Sequence, residues 1–142
     1  MINKTFSDKV ISVATTNGMP MQLSRLMACQ SAFETGNFTD HAFIQSNNGF
    51  GYKHVQGASL QLSTPAVHST ESDYYAAYPS FENSIIEVCK WIGRRQKENK
   101  FPQDLLKIQT PDQYATLLKS CGYYGGLEKD YANGIAGYLR LL

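Results

Sequence analysis

Glu34 is the side chain whose setting gives it a use in acid chemistry. Leu23, Leu26, Met27, Gln30, Phe33 and Glu34 recur at three- and four-residue steps, so a helix over 21–35 carries them on one face. That face is apolar, and carboxylates are almost never buried without a reason. Glu34 also falls in the last turn, where the helix dipole disfavours negative charge. Burial and dipole both push its pKa upward. A carboxyl that keeps its proton near neutral pH can protonate a leaving oxygen. A Glu whose head escapes to water, or caps a neighbouring backbone, would show the same local pattern. The residues that follow favour the cleft: Gly36 reads as a left-handed stop, and a long polar, aromatic-bearing loop comes after it.

The aromatic residues are the second chemical signal. Nine Tyr and seven Phe stand in 142 residues, and the tyrosines gather at Tyr74, Tyr75 and Tyr78, then at Tyr123, Tyr124, Tyr131 and Tyr138. A ring with a polar tip suits a cleft for a sugar or peptide, and serves equally well as core filling. Cys29, Cys89 and Cys121 are odd in number, and the first two lie among apolar residues at helical spacing. They read as buried free thiols of a reducing compartment. No CxxC or HxxxH is present, and His41, His54 and His68 are scattered, so no metal site is expected.

The elements that must position these groups are mostly helical. A short helix over 7–16 ends at Asn17-Gly18, and Pro20 precedes the Glu34 helix. From Asn37 to Tyr78 the helical period is lost, leaving a loop region with short extended pieces at Ser59–Leu62 and Tyr74–Ala77. Ser80 caps a strong helix with Phe81, Ile85, Val88, Cys89 and Ile92 inward and a basic end at Arg94-Arg95-Gln96-Lys97. Thr110-Pro111-Asp112-Gln113 is a capping signature, and its helix turns Tyr114, Leu117, Leu118 and Cys121 to the core. A last helix, about 129–141, buries Tyr131, Ile135, Tyr138 and Leu139. The expectation is one α+β domain over residues 1–142, mostly α, with five or six helices and at most a small β element beside the cleft.

Composition excludes several classes. With 42% hydrophobic and 18% charged residues the chain is not disordered. A net charge of +1 argues against nucleic-acid binding, and no apolar run is long enough for a membrane span. No secretory signal is read at the N-terminus.

Gln30-Ser31-Ala32-Phe33-Glu34-Thr35-Gly36-Asn37-Phe38 resembles the Q-[SA]-x-x-E-[ST]-G-x-[FW] segment of the lysozyme superfamily, and looks most like glycoside hydrolase family 73. Asn47-Asn48-Gly49-Phe50-Gly51-Tyr52-Lys53 is similar to that family's N-N-x-F-G-x-K segment. Tyr78-Pro79-Ser80 resembles its Y-x-S helix start. Gly122-Tyr123 with Tyr131-Ala132-Asn133-Gly134-Ile135 resembles its C-terminal block. The four blocks keep the family's order and span about 21–138. The resemblance implies a lysozyme-like fold and an endo-β-N-acetylglucosaminidase that cuts the GlcNAc-β-1,4-MurNAc bond of the peptidoglycan glycan strand. Glu34 would be the general acid. Of the substrate-binding residues, Asn48 and Phe50 would shape the cleft wall, Tyr123 would sit beside the reacting sugar, and Tyr78 and Tyr124 would add contacts; Gly51 would permit a tight turn, and Tyr131 would pack the last helix.

Many members of that family carry a second catalytic Glu on a hairpin. Here 56–75 has no Asn-Gly turn, and Glu71 is the positional candidate for the base, followed by Asp73 and Asp40. A base about 6.5–9.5 Å from the acid would let water attack with inversion. Tyr124-Gly125-Gly126 stands where the family has A-T-D. A lytic transglycosylase and a non-catalytic wall-binding module are the alternatives. No cofactor is implied, and a monomer is expected. A wall enzyme without a signal would be delivered by phage lysis, a virion, a secretion machine or a parent chain.

Overall fold

The computed structural model describes residues 1–70 and 73–142. Helix α1 spans Lys4–Thr16 and starts three residues before the sequence-based boundary, because the Asn3 side chain accepts from the Phe6 N–H and caps it. Helix α2, Met21–Glu34, is the centre of the molecule, with Leu23, Leu26, Met27, Ala28, Cys29 and Ala32 wholly buried. Phe33 departs from the expected stripe and is 39% exposed.

Helix α3, His41–Ser46, was not visible in the sequence. It is six residues long, and only Phe43 and Ser46 are buried, too few to set a period. Helix α4, Phe81–Lys97, begins at the Ser80 cap. A 3₁₀ turn, Leu105–Lys107, leads to α5, Pro111–Ser120, which carries the full Thr110/Gln113 capping box. Helix α6 is Glu128–Leu139. Helix α2 packs against α1 and α6, α1 against α4, and α5 against α6. Leu117, Cys121, Tyr138 and Leu139 lie at the core's margin rather than inside it.

The β element is a single antiparallel bridge, Lys53 with Tyr75, extended by hydrogen bonds from His54 N to Tyr74 O and from Ala76 N to Tyr52 O, both 2.9 Å. The expected extended piece at Ser59–Leu62 is instead a turn, joined to the bridge region where Leu62 N meets Ala77 O and where the Gln61 amide donates to Lys53 O. The arrangement is mostly helical, six α-helices among the described residues, with this one small β contact.

The α2–α6 crossing depends on a missing side chain. The Phe33 ring lies on Gly134, and a Cβ there would overlap it. Gly134→Ala is therefore expected to destabilise the fold by about 1–3 kcal/mol through overpacking. Urea denaturation of the purified variant measures this, and an unchanged midpoint would contradict the crossing as described.

Candidate active site

Helix geometry brings Gln30 and Glu34 to the same face one turn apart, and a chain of hydrogen bonds runs through them into the core. The Tyr114 hydroxyl donates to Gln30 Oε1 at 2.6 Å, Gln30 Nε2 donates to the Tyr131 hydroxyl at 3.1 Å, and that hydroxyl donates to Glu34 Oε1 at 2.7 Å. Gln30, Tyr114 and Tyr131 are buried, while Glu34 is half-buried at the end of α2. The other carboxylate oxygen faces the backbone of Gly51, where a Cβ would come to 3.1 Å from Oε2 and φ is +62°. Only a residue without a side chain suits that approach.

Burial pushes the Glu34 carboxyl above the usual carboxylate range, while the Tyr131 hydroxyl and the Lys53 ammonium pull part of the way back. Burial likewise pushes the Tyr114, Tyr123 and Tyr131 hydroxyls well above the ordinary phenol value, so these groups remain donors. Tyr131 itself is held flat by Tyr124, whose ring stacks on it at 3.9 Å and 4°.

Glu34 opens onto a groove of about 450 Å³ that it lines with Gly51, Lys53, Asp73, Tyr123 and Tyr124. Tyr123 and Tyr124, both expected at the site, do reach this groove. The Tyr123 hydroxyl donates to Phe50 O at 2.9 Å and that of Tyr124 to Ala115 O at 2.9 Å, so both hydroxyls are engaged with backbone.

Two other expected substrate contacts, Phe50 and Tyr78, need correction. Phe50 is 0% exposed and Tyr78 2%, so neither ring has surface to offer. They form the apolar interior of the loop lobe, and Phe50 contributes its carbonyl to Tyr123 instead. Asn48 is 7% exposed, and its amide is fully engaged. Nδ2 donates to Tyr52 O and Ala76 O at 2.9 and 3.0 Å, and Oδ1 accepts from the N–H groups of Phe50 and Tyr52 at 3.2 Å. It fastens both arms of the bridge and lines a recess beside Glu34.

Glu71 lies outside the described residues. Asp73 shares the groove with Glu34 but is ion-paired with Lys53 at 2.7 Å. Asp40 lines a neighbouring recess of about 200 Å³ with Glu34, His68 and Tyr75. Among the described residues no group of three His, Cys, Asp or Glu is placed to hold a metal.

Sequence reasoning missed the role of Tyr131. Its helix pattern marks it as a packing residue, which it also is, and only its place in the C-terminal motif pointed further. Lys53, which lies near enough to Glu34 to lower its proton affinity, carried no local signal beyond its place in the Asn47–Lys53 segment.

With this geometry the chain can be compared with known proteins. Its fold is similar to that of a peptidoglycan hydrolase from Sphingomonas sp. A1, at 19% identity and a TM-score of 0.71, covering 97% of this chain and 91% of that one. It is also similar to a chain in the structure of a type VI secretion system effector–immunity complex from Pseudomonas protegens, at 19% identity and a TM-score of 0.67, covering 96% and 87%. No curated protein matches it. Residues 8–141 match the glucosaminidase family, described as mannosyl-glycoprotein endo-β-N-acetylglucosaminidase, and the chain belongs to that family, glycoside hydrolase family 73.

Proposed function

We propose that this protein is an endo-β-N-acetylglucosaminidase that hydrolyses the GlcNAc-β-1,4-MurNAc bond of peptidoglycan, with Glu34 as general acid. The observation that carries this is the Glu34 carboxyl, desolvated at the groove floor and held at one oxygen by the Tyr131 hydroxyl. A glycosidic oxygen seated over Glu34 takes its proton as the bond to the anomeric carbon breaks. Tyr123 and Tyr124 line the groove that the strand would occupy. A water then attacks the anomeric carbon, and Glu71 is the residue proposed to take its proton, giving inversion. The likeness to a peptidoglycan hydrolase supports this substrate. The likeness to a chain of a secretion-system effector complex favours a secretion machine as the delivery route.

A lytic transglycosylase is the second reading, and one observation favours it: Asp73, the described carboxylate in the same groove, is tied to Lys53. Mass spectrometry of digested sacculi separates the two, since hydrolysis leaves a reducing GlcNAc end and transglycosylation leaves an anhydro-MurNAc end. Binding to sacculi without any cleavage would instead mark a wall-binding module.

Glu34→Gln is expected to lower turbidity clearing by about 10²–10⁴-fold, the range for loss of a general acid. It should not lower the melting temperature at pH 8. A carboxyl whose folded pKa is raised binds its proton more tightly folded than unfolded, so its stabilising contribution is present at low pH and lost as pH rises. Glutamine, which never ionises, escapes that loss. A variant that clears sacculi normally would remove Glu34 from the mechanism.

Tyr131→Phe removes a donor that favours the ionised carboxylate. The alkaline limb of the pH profile of kcat/KM should move to higher pH, and the rate should fall roughly ten- to hundredfold, the worth of a hydrogen bond to a charged partner. A purely structural role for Tyr131 would lower activity without moving that limb.

A further inference from the structure

Three recesses meet at the acid, and a fourth does not reach it. The central groove shares Glu34, Gly51 and Tyr75 with the Asp40–His68 recess. It shares Glu34 and Tyr124 with a recess of about 350 Å³ beside Phe33 and Leu127. Glu34 lines all three. The fourth recess, about 220 Å³, joins the central groove through Gly51, Lys53, Gly122 and Tyr123, and Glu34 is not part of its wall. A strand whose scissile bond lies at the acid occupies recesses that Glu34 lines, and the fourth opens beside them. A substituent projecting from a sugar next to the scissile bond needs such a space.

The walls of the side recess specify the substituent. The Trp91 and Tyr123 rings meet edge to face at 5.0 Å, and the Tyr52 and Tyr123 rings at 6.4 Å. Val55, 50% exposed, completes an apolar wall. Cations border it at two places: Lys53, ion-paired with Asp73, lines the part shared with the central groove, and Arg94 donates to the Tyr52 hydroxyl at 3.0 Å. A branch that combines small apolar groups with carboxylates matches these walls. The lactyl-peptide substituent of MurNAc has that chemistry.

We infer that the Tyr52–Val55–Trp91 recess is a subsite for the first residues of the peptide stem, and that it makes the protein prefer glycan strands still carrying stems. This rests on the functional reading above. Val55 is the position to test, because its side chain is half in solvent while its N–H is held by Gln61 Oε1 at 2.9 Å. Cys121, in the same wall, reports occupancy. It is partly exposed, whereas Cys29 and Cys89 are buried with thiols pushed up to about 12.

Two measurements decide the inference. First, kcat/KM is compared on purified strands and on the same strands stripped of peptides by an amidase. The wild-type protein should favour stem-bearing strands about tenfold, and Val55→Trp should bring the ratio close to one. Second, alkylation of Cys121 by N-ethylmaleimide should be slowed by muramyl dipeptide and not by tri-N-acetylchitotriose. A wild-type ratio near one, a ratio that Val55→Trp leaves unchanged, or equal alkylation with both probes overturns the inference while cleavage itself stands. Should Val55→Trp fail to fold, the alkylation comparison on the wild-type protein decides. Cleavage of neither strand overturns the functional reading and this inference with it.

Discussion

The hydrogen bond from Tyr131 to Glu34 joins the last helix to the end of the central one, and most of the site's properties pass through it. Burial alone would make Glu34 a very weak acid that holds its proton tightly. Open water would make it an ordinary carboxylate, ionised at neutral pH. The tyrosine donor and the nearby Lys53 charge place it between these limits. The donor is fixed in turn by Gln30 and Tyr114 behind it and by Tyr124 stacked on its face. Three helices, α2, α5 and α6, thus contribute to one chain of paired polar atoms. A buried network with its members paired fixes a single arrangement, whereas one missing partner would leave a costly unpaired group. The orientation of the helices and the acidity of Glu34 are therefore set by the same contacts.

The long polar stretch between α2 and α4 extends the same principle. Its many Asn, Gln and Ser side chains do not simply face water. Asn48 joins the two arms of the bridge. Gln61 accepts from Val55 N, and its amide donates to Lys53 O and to the buried Glu87 carboxylate on α4. Side chains here replace the ladder that a longer sheet would supply. The result is that Lys53 projects from a backbone anchored on both sides, close to the acid and paired with Asp73.

What the sequence revealed follows from the range of the interactions involved. Helices α2, α4 and α5 were legible because their caps and apolar spacing are local, and Glu34 was legible because its helix face and its end are local too. The Tyr131–Glu34 and Tyr114–Gln30 bonds span 97 and 84 residues, and no periodicity encodes them. Phe50 and Tyr78 were misplaced for a related reason. An aromatic residue in a polar loop looks like a ligand platform until the lobe is seen to need an interior of its own. The bridge between Lys53 and Tyr75 is a single pair with no alternating pattern around it.

The turn that follows Glu34 shows how strain and burial are combined. Gly36, Asn37 and Phe38 adopt φ of 57°, 59° and 65° in succession. A left-handed phenylalanine costs on the order of 1–3 kcal/mol, and such residues persist only where their surroundings over-determine them. Phe38 meets that condition. Its N–H is bound by the Thr35 hydroxyl at 2.9 Å, and its ring packs with Phe6, Phe43 and Phe81 at 5.1–5.9 Å. Asn37 ties the turn to the start of the chain, accepting from Asn3 N and donating to Met1 O. The sharp reversal ends α2 at Glu34 itself. The strained turn is thus what lets the acid stand at a helix terminus with one side against protein and the other open to the groove.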